Sequence, residues 1–80
     1  MIDNEQLEYV KTGLFACATH LRSASNSGVK SVREQAQTNA LYAYASVAAH
    51  FPGLRSSDRS LLEEWAHYLG LELRESFSKL

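Results

Sequence analysis

A long uncharged segment in the middle of this 80-residue chain constrains its fold more than any other feature. Residues 35–54 contain no Asp, Glu, Lys or Arg, and residues 41–51 are apolar apart from Ser46 and His50. A helix that is apolar around its whole circumference is buried on more than one side. The segment therefore predicts the central helix of a small fold, with apolar surface left over for a partner.

The length of the chain allows a single domain with a thin core. A chain of this size buries only about 60% of the surface that its unfolded form exposes, so its stability is a few kcal/mol. Cys17 is the only cysteine, which excludes an internal disulfide. Close helix packing, a bound metal or self-association must then supply the stability.

The charge balance disfavours nucleic acid as a partner. The net charge is -1 and the pI is about 6.3, whereas nucleic-acid affinity comes largely from cations that neutralise phosphates. Residues 1–5 are acidic and lack the apolar core of a signal peptide, and one free cysteine fits a reducing compartment, so we expect a cytoplasmic protein. The apolar run is shorter than the roughly 20 residues that span a bilayer, and we expect no membrane association.

Helix 1 is predicted at about residues 3–23. Asp3 is suited to the N-cap, and Gln6 three residues later completes a capping box. Gly13 costs about 1 kcal/mol relative to Ala and counts against the helix, while Tyr9 and Phe15 are assigned to a second contact. The predicted core residues recur at alternating spacings of three and four: Leu7, Val10, Leu14, Cys17 and Leu21.

Helix 2 is predicted at about residues 31–51, after a Ser-rich loop. Ser31 and Glu34 form a second capping box. Pro52 and Gly53 end the helix, because Pro disfavours a helical residue before it and Gly readily adopts a turn. One face is traced by Val32, Ala36, Ala40, Ala43, Val47 and Phe51.

Helix 3 is predicted at about residues 58–79, with Ser57 or Ser60 as its N-cap. The apolar spacing runs straight through Gly70, which favours one continuous helix over a helix that stops there. The predicted stripe consists of Leu62, Trp65, Leu69, Leu73, Phe77 and Leu80.

Three helices joined by short loops predict antiparallel neighbours. The expected fold is an all-α, three-helix, up-down-up bundle that covers residues 1–80 and self-associates through its central helix.

The titratable residues form no recognisable catalytic or metal pattern. Cys17 and His20 lie one turn apart, but structural zinc sites need four ligands and are mostly Cys-rich. Glu64 and His67 match one Glu-x-x-His pair of a di-iron bundle, which needs two such pairs and two further carboxylates; Glu8 is the only other candidate carboxylate. We expect no metal, no cofactor and no enzyme, with Cys17 as a small core residue.

Helix 2 supplies the predicted interaction surface, because tyrosines offer flat apolar area and alanines allow close approach. A homodimer or a higher symmetric oligomer is expected, and the dimer is favoured since two-fold packing is the commonest closed symmetry. The alternative is that helices 1 and 3 enclose helix 2 and leave Tyr42 as a lone exposed aromatic. The predicted interface residues are Leu41, Tyr42, Tyr44, Ala45, Ala48 and Ala49, with electrostatic contacts from Glu63, Glu64, Arg55 and Arg59.

These features predict a small non-enzymatic protein-interaction module. We expect an inhibitor that blocks a larger partner, by analogy of size and fold with inhibitors and immunity proteins encoded by phages and mobile elements. One alternative is an adaptor or accessory subunit of a cellular complex. The other is a helix-turn-helix-like DNA-binding protein, although helix 3 opens with Asp58 and Arg59 and then turns acidic at Glu63 and Glu64.

Overall fold

A computed structural model describes the backbone of residues 2–78 and the side chains of residues 5–78. Within that part of the chain there are helices and no strands, packed into an elongated bundle of 42 × 19 × 17 Å. The all-α prediction is therefore confirmed. The elements are α1 (Ile2–Asn26), α2 (Lys30–Ala48), a 3-10 turn (Phe51–Gly53) and α3 (Ser56–Ser78).

Two hydrogen bonds between helices define the topology. The Tyr9 hydroxyl, early in α1, lies 2.6 Å from the Ser46 hydroxyl, late in α2. The Gln37 Nε2, early in α2, donates to the carbonyl of Ser76, late in α3, over 3.0 Å. Each pair of consecutive helices is thus antiparallel, and the bundle runs up-down-up as expected.

α1, and not α2, is the most deeply buried helix. Three of the most deeply buried side chains, Val10, Leu14 and Cys17, belong to α1, and all five predicted core positions of α1 lie in or against the core. α2 buries four residues and leaves its other side exposed, so the prediction that it is the central helix is wrong, whereas the apolar surface expected to be left over on it is present. The physical reason is that its Ala, Ser and Tyr side chains tolerate water and only a narrow face is needed to meet α1. The buried residues of α2 are Ala36, Gln37, Ala40 and Val47.

Gly13 lies where α1 and α2 approach most closely. A Cβ atom at this position would overlap the Cγ1 of Val47, whose side chain is only 2% exposed. Glycine therefore allows the two backbones to come together, and α1 continues through it without a break. The expectation that Gly13 merely weakens the helix misses this packing role.

The ends of α1 and α2 differ from the predicted ones. α1 begins at Ile2 and extends to Asn26; the side chain of Asp3, the predicted cap, lies outside the described side chains. α2 begins at Lys30 and is capped by the backbone of Val29 without a side-chain hydrogen bond, so Ser31 is not its cap. The Ser27 hydroxyl instead accepts the Val29 N–H over 3.1 Å and shapes the loop before α2. α2 stops at Ala48 because the chain tightens into the 3-10 turn.

α3 is one continuous helix through Gly70, as predicted. It begins at Ser56, so Ser57 and Ser60 lie inside the helix and the predicted cap is wrong; the Arg59 N–H already donates to the Arg55 carbonyl. The predicted stripe packs inward, with Ala66 as an additional buried member, while Leu80 lies outside the described residues.

The C-terminal turn of α3 is tied to α2. Carbonyls in the last turn of a helix lack partners within that helix. Gln37, which is 5% exposed, donates its Nε2 to the Ser76 carbonyl and to the Ser76 hydroxyl, the latter over 2.7 Å. This side chain therefore substitutes for the missing helical donor and fixes the end of α3.

Candidate interaction surfaces

Most of the predicted interface residues share one exposed stripe of α2. Their spacing of one, three and four residues places them on one side of a helix. Tyr42 at its centre is 69% exposed, and its neighbours on the stripe are exposed as well. We call this stripe the α2 surface; it consists of Leu41, Tyr42, Ala45, Ala48 and Ala49.

Tyr44 does not belong to the α2 surface. Its ring is half-buried and packs against the core, with the hydroxyl 2.8 Å from the position that a Cβ would take at Gly70. The residue therefore joins α2 to α3, and it lines the groove between these two helices next to Ala48 of the stripe.

A groove of about 360 Å³ separates the end of α2 from the beginning of α3. Ala48 forms its α2 edge, and Arg59 and Glu63 line it from α3. These two predicted electrostatic residues therefore border the α2 surface. Glu64 is exposed beside His67 on α3, and Arg55 lies in the exposed connection before α3, so neither lines this groove.

A second apolar surface, absent from the prediction, lies where α1 meets α3. Leu61 is 76% exposed and Phe15 is 63% exposed. The Phe15 ring meets the half-buried Trp65 ring edge to face, with centroids 5.2 Å apart and an interplanar angle of 79°. We call this region the α1–α3 surface; it consists of Phe15, Leu61, Trp65, Tyr68 and Leu71.

The sequence contains only a partial signal for the α1–α3 surface. Leu61, Trp65 and Tyr68 have helical spacing on the edge of the predicted core stripe of α3. Phe15 is predicted to make a contact outside the core stripe of α1, and it does so with Trp65. The pairing of Phe15 with Trp65, however, depends on the angle at which two distant helices meet.

A groove of about 500 Å³ continues from the α1–α3 surface along the two helices. Leu21 and Ser25 form its α1 wall, and Tyr68 and Leu71 belong to its α3 wall. The Tyr68 hydroxyl donates a hydrogen bond to Glu72. This hydrogen bond, followed by the negative charge of Glu72, raises the pKa of Tyr68. The groove therefore combines apolar walls with negative potential. Its other members are Glu72, Glu75 and Ser76.

Cys17 is unsuited to nucleophilic chemistry. Burial, followed by the negative charge of Glu72, raises the pKa of its thiol to about 11. The thiolate is the reactive form of cysteine, so this side chain is neutral and inert at physiological pH. It is a core residue of α1, as expected.

The predicted metal candidates do not assemble into a site in the described part of the chain. No group of three or more His, Cys, Asp and Glu residues there is arranged to hold an ion. His20 lies beside a shallow groove between α1 and α2, while Cys17 is fully buried. Glu64 and His67 are both exposed on α3.

A polar cluster closes the end of the bundle where α1 starts. The rings of Tyr9 and His50 stack at a tilt, with centroids 4.6 Å apart. The Nε2 of Gln6 lies 3.3 Å from the Nδ1 of His50, and Tyr9 also bonds to Ser46. These contacts join α1 to α2 and give Tyr9 a structural role.

Comparisons with known protein families, curated proteins and solved structures find no match to this chain. None of the helices in the described residues combines the length and apolar character that crossing a membrane requires.

Proposed function

We propose that this chain is a non-enzymatic protein-interaction module that inhibits a larger partner by occupying one of its surfaces. The observation that carries this proposal is the presence of two separate exposed apolar surfaces on a chain of 80 residues. Large contiguous apolar patches on monomeric proteins commonly mark interaction sites. Aromatic residues such as Tyr42 and Tyr68 are enriched in protein interfaces.

The α2 surface is suited to a second copy of the chain. Residues 35–54 carry no charged side chain, so a two-fold contact there brings no like charges together. Ala45, Ala48 and Ala49 are small enough to let two helices approach closely. The α1–α3 surface lies on the face formed by the other two helices, so a dimer through α2 leaves it open for another protein.

The presence of two surfaces also favours a second candidate function, that of an adaptor. An adaptor holds two proteins at once, whereas an inhibitor abolishes the activity of the protein that it covers. Both functions need only binding, which agrees with the neutral, buried state of Cys17.

The mass of the purified chain in solution tests the self-association step. Light scattering is expected to give about twice 8.9 kDa at micromolar concentration. Tyr42→Glu should restore the monomer because it places two buried like charges near the two-fold axis, and circular dichroism should show unchanged helicity. Thr12→Glu, which adds the same charge to an exposed position of α1, should leave the dimer intact.

A wild-type chain that stays at 8.9 kDa up to several hundred micromolar, on the order of weak interface affinities, would reject the dimer. Loss of helicity in Tyr42→Glu would instead show that Tyr42 supports the core. The inhibitory step is tested by cross-linking from a photoreactive residue at position 68 in the native host. The activity of the captured protein is then measured with and without the chain; unchanged activity would favour the adaptor.

A further inference from the structure

The α1–α3 surface and the groove beside it form one continuous strip. Tyr68 belongs to both, and Leu61, Trp65 and Tyr68 follow each other at helical spacing along α3. From position 61 to position 75 the strip is about 21 Å long, at roughly 1.5 Å per helical residue. It therefore has the length of a helix of about four turns.

The charges along this strip are predominantly negative. Glu64, Glu72 and Glu75 lie four residues before, four after and seven after Tyr68, which places them on the same side of α3. Glu72 and Glu75 line the groove itself. The two arginines of α3 lie on other sides of the helix; Arg59, for example, lines the α2–α3 groove.

The nearest cations on α1 reduce this negative charge only in part. Lys11 lies 3.4 Å from Glu8 and is compensated by it. Arg22 is exposed one turn after Ala18 and contributes a single positive charge. The charged side chains that line the groove itself, Glu72 and Glu75, are both carboxylates.

This charge pattern distinguishes the strip from the α2 surface. A two-fold contact through the strip would place the carboxylates of one copy against those of the other, which opposes association. The uncharged α2 surface has no such penalty. A second copy is therefore a poor occupant of the strip, and a basic partner is a good one.

We infer that the α1–α3 surface and its groove receive a basic amphipathic helix of the partner protein, whose apolar side chains pack on Phe15, Trp65 and Tyr68 while its Lys or Arg side chains face Glu72 and Glu75. This inference rests on the proposed interaction function. A helical ligand fits because the strip lies between two parallel helices and follows a helical repeat. The described residues contain no strand edge that an extended peptide could join.

The single tryptophan of the chain reports directly on this site. Two synthetic helices of about four turns serve as probes, each with the same leucine face and with either lysine or glutamate on the polar face. We expect the lysine peptide to shift Trp65 emission to shorter wavelength and to bind at least about tenfold more tightly than the glutamate peptide. Binding should weaken as salt is added. The Tyr42→Glu chain is used throughout, so that dimerisation does not affect the measurement.

Two pairs of variants locate the binding site. Glu72→Gln combined with Glu75→Gln should weaken the lysine peptide about five- to tenfold, since each exposed ion pair contributes modestly. The matched double change Glu34→Gln with Glu5→Gln, at exposed positions elsewhere, should have little effect. Leu61→Ser should also weaken binding without disturbing the fold, because Leu61 is 76% exposed, whereas Leu41→Ser on the α2 surface should leave binding unchanged.

Three results would overturn the inference. The first is equal binding of the lysine and glutamate peptides, and the second is equal weakening of binding by the control variants. The third is that Leu61→Ser, made in the chain that keeps Tyr42, lowers the mass in solution from dimer to monomer, which would make the strip a contact between copies. A monomeric wild-type chain that still binds the lysine peptide at the strip would reject only the proposed dimer. A dimer that binds neither peptide would reject only the basic-helix partner.

Discussion

Two glycines lie where α2 meets its neighbours, and they differ in what they face. Gly13 of α1 lies against Val47, a buried β-branched side chain whose Cβ as well as its Cγ1 would be close to an added methyl. Gly70 of α3 lies against the hydroxyl of Tyr44, the far end of a half-buried side chain. The α1–α2 contact is therefore rigid, and the α2–α3 contact is adjustable.

The helices also differ in how closely they pack. Grooves border α3 on both sides, one beside α2 and the other beside α1, and a groove of about 350 Å³ also lies between α1 and α2 near the loop that joins them. α1 and α2 fit closely because a glycine meets a rigid hydrophobic side chain, with polar links from Tyr9 and Gln6 at one end. α3 packs less closely on this pair, and the groove proposed for a partner helix lies along its edge with α1.

The largest expected effect comes from Gly13→Ala. The added methyl overlaps Val47 severely, so we expect an overpacking cost at the upper end of the usual range, about 3 kcal/mol, which outweighs the helix-propensity gain of about 1 kcal/mol. We expect a net loss of about 2 kcal/mol in the free energy of unfolding. Urea denaturation followed by circular dichroism measures this change.

The contact with Val47 is isolated by a double-mutant cycle. In a Val47→Ala background, Gly13→Ala should lose most of its cost, because the overlapping Cγ1 is gone. Gly28→Ala is the matched control, since a Cβ there meets nothing within 4 Å and its φ is not positive. Equal losses for Gly13→Ala with and without Val47 would contradict the rigid contact.

The regular part of this structure was predictable from apolar spacing. The core positions of α1 and α3 repeat at three and four residues, and their burial follows from that repeat. The exposure of Tyr42 followed from its place on the far side of α2. The partner of Gly13 and the pairing of Phe15 with Trp65 were not predictable, because each depends on the distance and angle between helices that are far apart in the chain.

The centrality of α2 was the main wrong inference, and its cause is specific. A lack of charge predicts burial, yet Ala45 and Ala48 are exposed and lose little in contact with water. An uncharged helix can be a surface helix when its residues are small. The same absence of charge is what makes the α2 surface suitable for a two-fold contact.

Raising the pH is expected to have an intermediate effect on the free energy of unfolding, through Cys17 beneath the groove between α1 and α3. The folded-state pKa of this thiol is raised from 9.0 to about 11. A raised pKa means that folding favours the protonated thiol, so this contribution is complete below pH 9 and is lost as the pH rises towards 11. We expect the free energy of unfolding to fall by on the order of 1–2 kcal/mol across that interval.

Denaturation at several alkaline pH values measures this loss, and two variants assign it. Cys17→Ala should be less stable at neutral pH but should show a flatter pH dependence. Tyr68→Phe controls for the other group in this region whose pKa is raised, and it should keep the part of the slope that begins near pH 9. An unchanged slope in Cys17→Ala would mean that the thiol is not held in the protonated form.

The smallest effect is expected from Gly70→Ala, the same substitution as Gly13→Ala made at the adjustable contact. A Cβ there would lie 2.8 Å from the Tyr44 hydroxyl and 3.2 Å from its Cζ, so the tyrosine must shift slightly. Because alanine also favours the helix by about 1 kcal/mol, the two effects should nearly cancel in the free energy of unfolding.

Tyr44→Phe removes the hydroxyl, and in that background Gly70→Ala should stabilise the chain by up to about 1 kcal/mol. A loss as large as that of Gly13→Ala would show that α3 packs as rigidly as α1 does, and that the grooves along its edges are not a consequence of looser packing.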